Sequence, residues 1–195
     1  IEMLQGEQEP IVLDAIAVAL GHQDTERAVD ALYPIRNHPD AQVRLGVTFG
    51  ILQQEAQTAI DMLLSFMNDN DDEIRDWATF GIGSMLDIDT PAIREALYAR
   101  VRDNDADVRA EAIVGLARRK DERIVQTILD QLSEAEFHPL IVDAAAEMAD
   151  NRFYPALLAL QKTIRGKNKD DFLDQNIERA IQACSDGGAC SVGES

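Results

Sequence analysis

The chain has 195 residues, 46% hydrophobic but only 5% aromatic, and its 36 Asp and Glu outnumber 18 Lys and Arg for a formal net charge of −18. That length fits one ordinary domain or one short repeat array. The acidic balance argues against nucleic-acid binding, which stays an alternative reading, and favours a basic or neutral partner, or serves solubility alone; no apolar run approaches the roughly 18 residues of a membrane span.

Ala, Leu and Ile carry most of the apolar content, which predicts helices rather than sheets. In chain order, Ile1 and Leu4 match Leu32 and Ile35, and Leu63 and Phe66, in register before the next helix. The chain is thus expected to start inside the first helix of a pair, either as a piece of a longer array or with residues missing upstream. No basic start or long apolar stretch marks a signal peptide. The segments "VLDAIAVALG", "DAQVRLGVTFGIL", "DDEIRDWATFGIG", "DADVRAEAIVGLARRK" and "FHPLIVDAAAEMA" then recur. Between them lie "DTERAVDALYPI", "AQTAIDMLLSFM", "DTPAIREALYAR", "DERIVQTILDQL" and "DNRFYPALLALQ". Each alternation predicts a helix pair that cannot bury its apolar faces alone and must stack on its neighbours.

The pattern V-R-x-x-A-x-x-G-L fits from Val43, Ile74 and Val108, with degenerate copies at Val12 and Phe137 that lack the Arg. Starts at 12, 43, 74, 108 and 137 are spaced by 31, 31, 34 and 29 residues. A capping helix is expected near Leu173, which gives an array over 1–184 and a flexible tail over 185–195. Asp40, Asp71 and Asp105 each precede an anchor by three residues, where a side-chain oxygen caps the free N–H groups of a helix start. The Asp of one repeat is also expected to pair with the anchor Arg of its neighbour.

These residues resemble HEAT repeats of the short type named after phycobilisome lyases, over nearly the whole chain. The resemblance implies an all-α, right-handed α-solenoid of about five helix pairs, with the "V-R" helices lining a concave face. It is nearly silent on function, because many activities share the scaffold.

Motifs for chemistry are sparse. His22, His38 and His138 form no His-Glu pair of the kind that HEAT-repeat hydroxylases use for iron, and read as solvated or capping residues. Cys184 and Cys190 lack zinc-site spacing and read as thiols in a loose tail, with a tail disulfide as the alternative. A reduced, cytoplasmic setting is expected. "NDNDDE" (68–73) lacks the Gly and final Glu of a calcium loop and reads as a turn with a cap, with weak cation binding as the minor alternative. The Gly pair in "GIGSM" reads as close helix packing. Arg118, Arg119, Lys120 and Arg123 read as favourable charge at a helix C-terminus. No enzyme activity, metal or cofactor is expected.

On a helical wheel, one row reads Val18, Phe49, Phe80, Val114 and Asp143, with Leu45 and Trp77 one turn earlier and Asp14, Asp76, Glu111 and Glu147 around it. One reading is a groove with an aromatic centre and an acidic rim that binds a basic or amphipathic protein segment. Its candidate contacts are Leu45, Phe49, Asp76, Trp77, Phe80, Glu111, Val114 and Asp143. The other reading is that adjacent helices bury these side chains between themselves. A scaffold or adaptor is the leading expectation. The alternatives are a chromophore-lyase-like or assembly-chaperone subunit, implied by the family, and a structural piece of a larger multidomain chain.

Overall fold

A computed structural model describes residues 4, 6–23, 25–167 and 171–186. Ile1 and Cys190, on which two of the sequence expectations fall, lie outside the described residues. Eleven α-helices follow one another among those described: α1 Pro10–Gly21, α2 Glu26–Leu32, α3 Ala41–Ile51, α4 Gln57–Phe66, α5 Asp72–Phe80, α6 Pro91–Arg100, α7 Ala106–Arg118, α8 Val125–Leu132, α9 Leu140–Met148, α10 Tyr154–Lys167 and α11 Asp171–Asp186. Helix α5 runs on as a π-helical turn, Gly81–Met85. The described residues contain no strand, and none of their helices is long and apolar enough to cross a membrane.

Odd-numbered helices pack each against the next, α1 on α3, α3 on α5, and so to α9 on α11, while the even-numbered helices back them. This two-layer stack is an α-solenoid, and the anchor pattern explains it. Val43, Ile74 and Val108 are fully buried, as are Val47, Ala78 and Ala112 one turn on and Ile51, Ile82 and Leu116 after a second turn. Each odd helix therefore drives one apolar stripe into a core shared with Leu32, Leu63, Leu97 and Ile128 of the even layer.

The two degenerate copies sit in a different register from the one their sequence suggests. In α1 the buried stripe is Leu13, Ala17 and Leu20, so the first copy is anchored at Leu13, not Val12. Phe137 lies before α9, whose buried stripe begins at Ile141 and continues at Ala145. Anchors at 13, 43, 74, 108 and 141 are spaced by 30, 31, 34 and 33 residues. The shift moves Asp143 out of the Phe80 row and into the row of Leu45 and Asp76.

Asp40, Asp71 and Asp105 cap α3, α5 and α7, accepting N–H bonds from Gln42, from Glu73 and Ile74, and from Asp107 and Val108. The caps do not also pair with the neighbouring Arg. That role falls to aspartates two residues earlier: Arg44 grips Asp69 through Nε at 2.7 Å and Nη2 at 2.8 Å, and Arg75 grips Asp103 at 3.1 and 3.0 Å. Asp69 and Asp103 are aimed by the cap's own N–H, at 3.0 and 3.1 Å, whereas the cap carboxylates are consumed by the helix start. The "NDNDDE" turn is thus built from a clamp and a cap.

Cys184 is no tail residue. It is fully buried on α11, with its thiol 3.5 Å from the Ala145 carbonyl. Desolvation pushes that thiol up to about 11, so it packs as a small hydrophobe.

Candidate functional site

The aromatic residues of α3 and α5 meet. Trp77 stands edge-on between Phe49, with ring centroids 4.9 Å apart, and Phe80, at 5.8 Å. Spacing along the stack explains the meeting: Phe49 and Phe80 hold the same position after their anchors, and Trp77 lies one turn before Phe80. Phe49 and Trp77 are half-buried against the core. Phe80 is half-buried at the end of α5, where the π turn begins. The rings are neither sealed in the core nor fully solvated.

The remaining candidates separate. Leu45 and Val114 are only 9% and 8% exposed and belong to the core, so they support the face from behind rather than line it. Asp76, Glu111 and Asp143 stay half-exposed on the same layer. Asp143 is engaged by Arg179 of α11, and Asp107, one turn before Glu111, lies 2.9 Å from His138 Nε2. At the N-terminal end Asp14 accepts from Gln42 Nε2 at 3.0 Å. The acids flanking α5 and α7 are thus paired, while those at the centre are not. Among the described residues Asp76 Oδ1 is buried without a hydrogen-bond partner, and Glu111 has only a long 3.4 Å contact from Ser84.

That environment disfavours charge. Burial pushes Glu111 up to about 7, helped by the negative field of Asp76, Asp107 and Asp143 and opposed by Ser84. Burial likewise raises Asp76 to about 6, helped by Asp107 and Asp105 and opposed by His138. Between pH 4.5 and 7 the folded protein therefore holds a proton that the unfolded chain has lost. The contribution of these groups to stability falls as pH rises through that window and then levels off. Glu111→Gln removes the cost of ionising the buried carboxyl. It is expected to be more stable than the parent at pH 8 by about 1–2 kcal/mol, a figure discounted for the water that still reaches the side chain. Near pH 4.5 the two proteins should melt together, and urea titrations at both pH values check this.

Two functional-looking features escaped the sequence reading. The "ARRK" run does more than complement a helix end. Arg119 is 8% exposed, and its guanidinium donates to the carbonyls of Ile82, Gly83, Leu86, Ile88 and Gly115 at 2.7–3.3 Å. Ile82 and Gly83 belong to the π turn, Leu86 and Ile88 to the segment after it, and Gly115 to the last turn of α7, and nothing in residue type or spacing announces a π turn. Lys120 turns the chain out of α7 at φ 53° and reaches the carbonyls of Glu147 and Met148. The other feature is the guanidinium of Arg109, which departs from the pairing of Arg44 and Arg75.

No protein-family model matches the chain. Over 69 residues, 35% of its length, the chain is 35% identical to protein YibA of Escherichia coli K12, and equally to that of Escherichia coli O157:H7. The aligned part spans about a quarter of that relative's length. The solved structure of Escherichia coli YibA is similar over 94% of this chain and 79% of the other, with a TM-score of 0.60 at 22% identity. An engineered protein is similar over 95% of both chains, with a TM-score of 0.63 at 16% identity. A designed armadillo repeat protein in complex with the peptide (KR)4 is similar over 90% of this chain and 91% of the other, with a TM-score of 0.59 at 17% identity. At these identities the likeness concerns the fold alone: the chain is a helical-repeat α-solenoid.

Proposed function

We propose that the protein is a non-catalytic scaffold of the short HEAT-like type that holds a basic or amphipathic segment of another protein along its odd-helix layer. The observation that carries this reading is the Phe49–Trp77–Phe80 ring cluster lying beside carboxylates that have no ion-pair partner among the described residues. Rings offer apolar contact and π faces for Arg or Lys, and Asp76 and Glu111 offer acceptors that a bound cation draws into their charged form. A helical-repeat relative in fold is solved with the peptide (KR)4, which fits the charge sign expected here.

The test is a fluorescence titration with peptides of alternating Lys or Arg and apolar residues. Phe80→Ala should weaken binding about ten-fold, as truncation of an interface aromatic does. It should cost the fold little, because Phe80 gives up mainly its edge contact with Trp77, an interaction of roughly 0.5–1.5 kcal/mol. A large fall in melting temperature with unchanged affinity of the folded fraction would end the groove reading. Asp76→Asn with Glu111→Gln should lower affinity chiefly at low salt, where screening is weak. No effect at any salt would leave the acidity a role in solubility only.

A further inference from the structure

Three anchor arginines share one geometry until the third breaks it. In each, Nη1 points back to the loop before its helix. Arg44 Nη1 donates to the carbonyls of His38 and Pro39, Arg75 Nη1 to those of Asp69 and Asn70, and Arg109 Nη1 to those of Asp103, Asn104 and Asp105 at 2.8–3.0 Å. In the first two, the other edge of the guanidinium, Nε and Nη2, closes on an Asp carboxylate of the next repeat. The same edge of Arg109 makes no hydrogen bond or ion pair among the described residues.

The missing partner has a local cause. Counted from the buried Ile141, His138 holds the position of Asp71 and Asp105 although Pro139 stands between it and α9, and its Nδ1 accepts the Leu140 N–H at 3.3 Å. Two residues before it, where Asp69 and Asp103 stand in their repeats, is Glu136. Asp69 and Asp103 are short and held by the cap's N–H. Glu136 is a methylene longer, exposed, and has no such bond to aim it. A cavity of about 310 Å³ is found here, lined by Arg109 and His138, by the apolar Val101, Ile113 and Phe137, and by the exposed Glu136.

We infer that this cavity binds a carboxylate on a compact apolar body, with the free edge of Arg109 gripping it as Arg75 grips Asp103. A fork of two parallel N–H donors matches a carboxylate, and the walls exclude water from an aliphatic group of a few carbons. Two exposed acids on the lining, Glu134 and Glu136, repel small inorganic anions. They select ligands whose apolar part offsets that repulsion. Such a carboxylate has two sources: a free short-chain acid, or the C-terminal residue of a peptide. The site lies on the edge of the stack, and the inference does not rest on the ring cluster of α3 and α5.

The experiment is an NMR titration of the full chain, following the Arg109 side-chain N–H and the Ile113 and Ile141 methyls. One arm uses 3-methylbutanoate, with 3-methylbutanamide as its uncharged match. The other uses an acetylated tripeptide ending in Leu, as free acid and as amide. A dissociation constant of about 1 mM is expected for at least one acid, in keeping with the few atoms that it buries. The corresponding amide should bind at least ten-fold more weakly. The arm that binds identifies the source. Arg109→Gln should abolish binding. Arg109→Lys, which keeps the charge and a donor for the loop carbonyls but not the fork, should weaken it several-fold. Glu136→Gln should strengthen it. Three results would each overturn the inference: amide and acid binding alike, Arg109→Lys binding as the parent does, or no binding by the parent. Binding that emerges only in Glu136→Gln would show Glu136 to be the internal partner of Arg109.

Discussion

Arg119→Met is expected to lower the stability of the fold by about 3 kcal/mol, and the melting temperature by roughly 6–12 °C for a chain of this size. Two large effects oppose each other in that figure. Burying the guanidinium is costly: desolvation is the leading influence on Arg119 and lowers its pKa, and Met removes that cost. Against it stand five backbone carbonyls. Hydrogen bonds from a charged donor contribute about 1.5–3 kcal/mol each, and an orphaned buried acceptor costs about 1–3 kcal/mol. The carbonyls win because Met fills the volume without a donor, and only the Ile88 end of the cluster lies toward the surface. Arg119→Lys, with three donors on one atom, should recover about half of the loss. Hydrogen exchange adds a local readout. Protection of the amides over 81–90 should fall more than that of α3, since the clamp closes the π turn and the extended Leu86 that follows. A Met variant within about 0.5 kcal/mol of the parent would show that water satisfies these carbonyls, as it does at ordinary surface positions.

The contrast between Arg119 and the anchors shows what the sequence made legible. Val43, Ile74 and Val108 were readable because burial, helix period and a fixed Gly after two turns repeat together, so each copy corroborates the others. Leu13 and Ile141 were misread by one and by four residues for the converse reason. Their copies lack both the Arg and the Gly, and an Ala-rich helix offers several equivalent apolar stripes. Arg119 looked like its exposed neighbour Arg118. The feature that sets them apart is a backbone irregularity 30-odd residues away, in the longest interval between anchors, 34 residues from Ile74 to Val108. Trp77 and Phe80 came together as their register required, because side-chain direction on a helix follows from position alone. Whether Asp76 and Glu111 were ionised was not readable. That depends on which acids find partners on the next helix, and Asp143 and Asp107 find Arg179 and His138 from segments distant in the chain.

Gly50→Ala is the substitution by which the stacking of the first repeat is best tested. On helix propensity alone it should stabilise, since Ala in a helix interior is favoured over Gly by about 1 kcal/mol. The packing of α3 on α1 reverses the sign. A Cβ on Gly50 would lie 2.6 Å from the Ala17 carbonyl oxygen and 2.8 Å from Leu32 Cδ1, and Gly21 faces the same spot, its own Cβ position being 2.7 Å from Gly50 Cα. Two backbones meet here, and a backbone cannot rotate away as a side chain can. Overpacking of this kind typically costs 1–3 kcal/mol and sometimes more. A net loss of about 2–3 kcal/mol is expected, with α1 loosened first because it is held mainly by α3. Gly81→Ala is the internal control, since Gly81 holds the same position after its anchor. Its Cβ would meet Leu52 Cδ2 at 2.8 Å, and its next neighbours are at 3.5 and 3.6 Å on Leu63, all of them tips of flexible side chains. Those can shift, so this variant should be neutral or gain up to about 1 kcal/mol. Chemical denaturation of both variants separates the two causes. If Gly50→Ala and Gly81→Ala move stability alike, propensity governs these positions and the backbone contact between α1 and α3 carries no weight. If only Gly50→Ala loses, Gly50 is there to let α3 lie directly on α1, a role that Gly81, at the same position after its anchor, does not share.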